Sequence, residues 1–290
     1  MNRRMNKIEK ILRVNKKTYL YAKRVKIREN LIKSAFQLVG AILTYPRGKK
    51  ETLAEYNTLK KEGFIYQPKN KKVHSKFYLP LLKLEEDLES DAIQYSIFMF
   101  DDYYEFDELE RMKKKNYIGK DTVVLDIGSN IGNHMLFFSN ECKCKKVYAF
   151  EPVLDTYKIL EKNIEINHLE EKVTAYNYGV GESVAKANLS SYDLHNIGGA
   201  TLELSNDGAI PILSIDSLEL KDKVGFVKID TEGFEVGVMK GMMKTVERDK
   251  PVFWIETSGE NFETIKKMLK PLGYQNIYSL GIGDYIFSVK

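Results

Sequence analysis

Val124-Leu125-Asp126-Ile127-Gly128-Ser129-Asn130-Ile131-Gly132-Asn133-His134 is the stretch from which the rest of this chain can be read. The apolar run from Thr122 to Ile127 predicts a buried strand, two glycines interrupt it, and a helical pattern opens at Asn133 and continues to Asn140. A strand that passes through a glycine-containing loop into a helix is the first unit of an α/β sheet. The glycines let the backbone approach a ligand closely, and the start of the helix carries amides without intrahelical partners. In open α/β sheets, ligands lie at the carboxyl ends of such strands. A dinucleotide site would favour G-x-G-x-x-G, whose second glycine admits a pyrophosphate. Here the spacing is G-x-x-x-G with Asp126 two residues ahead. That acid suits a ligand with cationic groups and no phosphate. Asp126, Gly128, Asn130, Gly132 and Asn133 are therefore the candidate contacts.

Downstream, short apolar runs alternate with helical ones, the pattern of βαβ units and a mainly parallel sheet. Strands are predicted at Lys146–Phe150, Val173–Tyr178, Gly225–Asp230 and Val252–Glu256. Helices are predicted at Val153–Asn167, from about Phe234 to Glu247, and at Phe262–Leu269. Residues 182–213 read as β-rich excursions with turns at Gly198-Gly199 and Asn206-Asp207-Gly208, and Gly273–Val289 as a closing hairpin that adds an antiparallel strand. Glu151 ends the second strand 25 residues after Asp126. An acid at that point accepts hydrogen bonds from both hydroxyls of a ribose. Either signal alone is weak, because glycines also serve helix–sheet packing. Together they point to nucleoside binding.

These residues resemble the FkbM family of S-adenosylmethionine-dependent methyltransferases. The resemblance runs from Asp121 to about Phe287. It is carried by the stretch quoted first, by Tyr148-Ala149-Phe150-Glu151-Pro152 with Asn163 and Asn167, and by Leu213-Ser214-Ile215-Asp216-Ser217-Leu218. Val227-Lys228-Ile229-Asp230-Thr231-Glu232-Gly233-Phe234-Glu235 and Pro251-Val252-Phe253-Trp254-Ile255-Glu256 complete it. It implies a class I methyltransferase fold, Rossmann-like and doubly wound, with a mainly parallel seven-stranded sheet and an antiparallel C-terminal strand. It also implies S-adenosylmethionine as cofactor, O-methylation, and a small-molecule or saccharide acceptor. Ser129 and Thr231 stand where the family commonly has Ala and Val.

Methyl transfer to a hydroxyl needs alignment of the acceptor and removal of its proton, and a positioned base typically contributes about 10²–10⁴-fold. His134, inside the helix after the glycine loop, and Asp230 and Glu232, at the end of the fourth strand, are the candidates. His134 reads equally well as a helix-start residue. Asp230, Glu232 and Glu256 have a second reading as oxygen ligands for a divalent metal ion, which is not the favoured one. Lys228 reaches the same site by strand alternation, where a cation can orient the acceptor. His195 reads as a loop residue in the excursion that contacts the acceptor. Tyr103, Tyr104 and Glu105 form a lead-in that closes over the cofactor or simply packs in the core.

With 290 residues, the chain has room for one principal core. The net charge of +4 is uneven: residues 1–50 hold fifteen Lys or Arg against Glu9 and Glu29, a balance of +13 that leaves −9 for the remainder. Apolar spacing from residue 3 to 45 favours a helical, basic N-terminal extension, and Tyr45-Pro46-Arg47-Gly48 marks its end. Residues 51–118 are a lead-in, and 119–290 the methyltransferase domain. The extension either solvates the chain or binds an anionic surface such as membrane lipid or nucleic acid. A nucleic-acid methyltransferase is one rival reading, although base N-methyltransferases usually carry an Asn-Pro-Pro-Tyr-like motif where this chain has Asp230-Thr231-Glu232-Gly233. A non-catalytic cofactor-binding protein is another. Two close cysteines, Cys142 and Cys144, and a start without an apolar signal segment predict a cytoplasmic protein, with peripheral membrane contact through residues 1–50.

Overall fold

The structure, a computed structural model, describes residues 49–84, 90–281 and 283–289. The expectations for residues 1–48, including the helical extension and its end at Gly48, lie outside the described residues. Of these, residues 59–82 and those from 90 onward form one compact unit, and residues 49–58 and 83–84 belong to another. Among the described residues, no helix is long and apolar enough to cross a membrane.

In chain order the elements are α1 (Lys49–Lys61), β1 (Ile65–Tyr66), β2 (Phe77–Tyr78), α2 (Ala92–Phe100), α3 (Phe106–Lys113), β3 (Val123–Ile127), α4 (Asn133–Asn140), β4 (Lys146–Phe150) and α5 (Leu154–Ile166). There follow β5 (Val173–Tyr176), β6 (Gly179–Val180), β7 (Ala185–Asp193), β8 (Asn196–Leu204), β9 (Ile210–Leu213), β10 (Val224–Ile229), α6 (Glu235–Lys240), α7 (Met243–Asp249), β11 (Val252–Glu256), α8 (Gly259–Leu269), β12 (Tyr274–Ser279) and β13 (Asp284–Val289).

The seven-stranded sheet has the order β12-β13-β11-β10-β3-β4-β5. Its pairs from β11 to β5 are parallel, and β13 runs antiparallel to both β11 and β12. In sheet numbering this is 3-2-1-4-5-7-6, the arrangement of class I methyltransferases. Strand order reverses between β3 and β10, so the crevice that such sheets use for ligands opens at their carboxyl ends.

Alternation gives β3 two different faces. Val123, Leu125 and Ile127 join the large apolar core with Val227, Ile229, Phe253, Ile255 and Phe287, covered by Val238, Met239, Val246, Ile265 and Leu269 from α6, α7 and α8. Val124 and Asp126 point the other way. Asp126 there registers with Lys228 of β10, and Lys228 with Trp254 of β11. Helix α4 covers this second face, with Phe138 against Phe226 and His134 edge-on to Trp254. The two faces stay in phase because Gly225 is an extra residue in β10: Val224 registers with Val123, but Phe226 registers with Val124.

Between β5 and β10 the chain builds a separate sheet, β6-β9-β7-β8. The expected turn at Gly198-Gly199 is corrected: both glycines lie inside β8, and the reversal is at Leu194-His195. A Cβ on Gly198 would come within 3.2 Å of the Asn130 and Ile93 side chains, so this glycine serves close approach rather than reversal. The expected helix from Phe234 to Glu247 is two helices, α6 and α7. A Cβ at Gly241 would stand 1.9 Å from the Gly181 carbonyl oxygen, so the chain there has no room for a side chain.

Several residues of the family pattern are scaffolding. Asn163 accepts from the Tyr78 amide and donates to the Ile131 carbonyl, and Asn167 brackets both backbone groups of Lys76. They hold the lead-in strand on α5. Asp216 accepts from the amides of Lys244 and Thr245 and from the Thr245 hydroxyl, and so caps α7.

Candidate active site

The glycine loop is stitched to the neighbouring strand before any ligand is considered. Gly128 and Ser129 donate their amides to the Phe150 carbonyl, Asn130 donates to Glu151 Oε2 at 3.0 Å, and Gly132 donates to the Ser129 carbonyl. Ser129 Oγ donates to the Asp126 carbonyl at 2.6 Å and accepts from the Phe150 amide. These loop amides are therefore spent within the protein, which leaves them unsuited to cradle a phosphate. Gly128 has φ +82°, and a Cβ on it would lie 1.7 Å from the Asp230 carbonyl oxygen. The loop thus rests directly on the end of β10.

Asp126 is 1% exposed, and neither carboxylate oxygen has a hydrogen-bond partner. Burial raises its pKa above the ordinary aspartate value, against the pull of His134 and Lys228. A buried acid without partners is costly in a ligand-free protein and is explained most simply by a ligand that completes it. Glu151, at the tip of β4, accepts from the amides of Asn130 and Val153, at 3.0 and 2.8 Å. Burial lifts its pKa to about 7, which those two amides only partly oppose. Each of its oxygens retains a lone pair for a further donor. An ammonium at Asp126 and ribose hydroxyls at Glu151 match this donor set, so the residues fit S-adenosylmethionine.

Beyond Asp126 the polar face continues toward β11 and β13. Lys228 is fully buried, with its Nζ 3.3 Å from Asp230 Oδ2 and 5.2 Å from the centre of the Trp254 ring. Trp254 Nε1 donates to Asp284 Oδ1 at 2.9 Å. His134 Nε2 stands 3.5 Å from Glu105 Oε2. Burial raises the Glu105 carboxyl, but the His134 ring beside it, followed by Lys228, brings it below the ordinary glutamate range. Glu105 sits at φ +59° just before α3. The Asn133 side chain fixes that approach, because its amide accepts from the Tyr104 N–H and donates to the Tyr104 carbonyl, each at 3.0 Å.

The structure thus brings His134 and Asp230 to one cluster with Lys228. Glu232 follows in a left-handed conformation, φ +49°. Asn130 sits under β8. His195 lies in the β7–β8 turn, where its carbonyl accepts from the Ala92 amide. Tyr103 packs edge-on against Phe77 and Phe137, with its hydroxyl against Ser75 and Glu141. Among the described residues, no three His, Cys, Asp or Glu side chains form a group that could hold a metal ion. The pairing of Glu105 with His134 was not read from the sequence. Its only signal was an acid at the end of the Tyr103-Tyr104-Glu105 lead-in.

Comparison with known proteins places these features among relatives. A family model described as the methyltransferase FkbM domain matches residues 126–275. The hexuronic acid methyltransferase AglP of Haloferax volcanii is 32% identical over 133 residues, 44% of this chain and 53% of AglP. Methyltransferase 1 of Beauveria bassiana is 25% identical over 204 residues, 58% of this chain and 81% of that protein. The crystal structure of a methyltransferase FkbM from Methylobacillus flagellatus superposes with a TM-score of 0.47 at 16% identity, covering 70% of this chain and 56% of that one. The matched region thus spans about half the length of AglP and of the crystallised protein.

Proposed function

The chain belongs to the methyltransferase FkbM family, and from that premise we propose that it transfers a methyl group from S-adenosylmethionine to a hydroxyl oxygen of a sugar, glycan precursor or related metabolite. The observation that carries the reading is Asp126: a buried carboxylate with two unpartnered oxygens at the switch point of the sheet, beside the strand-tip acid Glu151. The saccharide acceptor is supported by the similarity to a hexuronic acid methyltransferase over part of the chain.

Asp126 would accept the ammonium group, Glu151 the ribose hydroxyls, and the backbone around Gly128, Asn130 and Gly132 would shape the floor, with Asn133 holding the lead-in above. Bound there, S-adenosylmethionine supplies a methyl group activated by its sulfonium. The protein's part is to align an acceptor oxygen and take its proton. His134, Asp230 and Glu232 are the proposed proton acceptors. Asp230 belongs to the same polar cluster, its carboxylate 3.3 Å from the Lys228 ammonium.

Calorimetric titration with S-adenosylhomocysteine tests the cofactor reading, and a protein that binds none would sink it. The pH dependence is a sharper expectation. Glu151 must be ionised to accept two hydroxyl donors, so affinity should fall as pH drops below about 7, by up to about tenfold per unit, and level off above it. Stability of the ligand-free protein should move the other way. A carboxyl raised from 4.5 to about 7 binds its proton more tightly when folded. Its stabilisation is complete below 4.5 and is lost as pH rises through 7, by about 3 kcal/mol. Urea denaturation of the Glu151→Gln variant should lack that slope.

The basic residues 1–50 belong to the same proposal as a contact with anionic membrane near lipid-linked acceptors. The full chain should sediment with phosphatidylglycerol vesicles and a chain starting near residue 50 should not; equal partition removes the idea.

A further inference from the structure

Lys228 is an ammonium group inside a sheet, and its surroundings are lopsided. It lies on the strand next to Asp126, in register with it and on the same face. Both side chains are 1% exposed. Yet the Lys228 amino group makes its short contact with Asp230, at 3.3 Å, and rests over the Trp254 ring, while the oxygens of Asp126 accept no hydrogen bond. Two opposite charges thus stand side by side on adjacent strands without being bonded to each other.

Around this pair, each packed element contributes charge. Asp126 faces His134 from α4 as well as Lys228 and Asp230. Lys228 faces Asp230 at the end of β10, Asp284 on β13, Glu256 on β11 and Glu105 before α3. Burial pulls the lysine toward its neutral form, and these carboxylates together hold it above its ordinary range. It therefore stays charged across the working pH range.

We propose that Lys228 is a positioning residue for cofactor binding: tethered by Asp230 and Trp254, its ammonium holds Asp126 as an anion at a distance, which leaves both Asp126 oxygens open to the cationic end of the cofactor. The inference rests on the reading that the site takes S-adenosylmethionine. A direct Lys228–Asp126 salt bridge would satisfy the fold better but would block the ligand. An Asp126 without a nearby cation would be protonated and would attract an ammonium poorly.

The test is calorimetry with S-adenosylhomocysteine from pH 5.5 to 8.5 on the full chain, comparing wild type, Lys228→Met and Lys228→Arg. If the wild type binds at no pH, the cofactor reading itself fails. If the wild type binds, Lys228→Met should remain within threefold of it at pH 8.5 and fall progressively toward about tenfold below it at pH 6, as the acid limb that Asp126 adds to that of Glu151 moves upward by about one unit. Lys228→Arg should return the wild-type profile. An equal loss at all pH values in Lys228→Met would show a merely structural lysine and overturn the inference. Should Lys228→Met fail to fold, adding Asp126→Asn decides: shared charge predicts recovery of the folded protein, and a double variant that stays unfolded overturns the assignment.

Discussion

Asp126→Asn is expected to weaken S-adenosylhomocysteine by roughly 10- to 150-fold, the equivalent of losing hydrogen bonds to a charged group at about 1.5–3 kcal/mol, while raising the melting temperature of the ligand-free protein. The two effects share one cause. In the ligand-free fold, the carboxylate is 1% exposed, has no hydrogen-bond partner and has its pKa raised by burial. Such a group favours the protonated fold, so its contribution to stability is lost as pH rises through the raised value. Asparagine keeps the shape and removes the titration, so its advantage in melting temperature should widen toward alkaline pH, at about 2–4 °C per kcal/mol for a domain of this size. Residues kept for binding rather than for stability behave in this way. Calorimetry and thermal denaturation on the same two proteins check both halves. A variant that loses stability and affinity together would mark Asp126 as scaffold.

Gly128→Ala should be more severe still, with a loss of more than about 4 kcal/mol and in practice no folded protein. Two penalties coincide. The residue sits at φ +82°, and the new methyl carbon would lie 1.7 Å from the carbonyl oxygen of Asp230, which is backbone and cannot rotate aside. Gly233 separates the two terms, because it has φ +116° but nothing within 4 Å of a built Cβ. Gly233→Ala should therefore show the conformational cost alone, about 1–3 kcal/mol. Comparable losses at the two positions, measured by chemical denaturation, would mean that the loop and β10 separate more readily than their packing implies.

Much of the architecture was legible because it depends on local periodicity. The strand at Lys146–Phe150 has the same ends in sequence pattern and in structure, and the helix expected to open at Asn133 does open there. Glycines were the weak point, because one residue type marks both a turn and a tight approach. Gly198 and Gly199 suggested a reversal and instead lie inside β8, where Gly198 lets the strand pass over Asn130. Gly241 did not interrupt the apolar spacing of α6 and α7, so the break between them left no periodic trace. In the site, Asp126 and Glu151 could be located as strand-tip acids, since their spacing follows from one βαβ unit. The Glu105–His134 pair could not, because it joins segments 29 residues apart through a left-handed residue and the Asn133 clamp on Tyr104. Asn163, Asn167 and Asp216 show the opposite limit. They are as recognisable as the site residues, yet their side chains hold backbone segments together.

The extra residue at Gly225 has a consequence for how this protein can change. Side chains after it alternate on an odd count relative to those before it, and that parity sends Val224 to the oily layer and Lys228 to the wet one. Shortening the strand by this single position would force a choice: either Val224 abandons its hydrocarbon neighbours, or the ammonium is driven in among them. Substitution at this point is a local matter of crowding against Thr122, whereas deletion turns half a strand inside out.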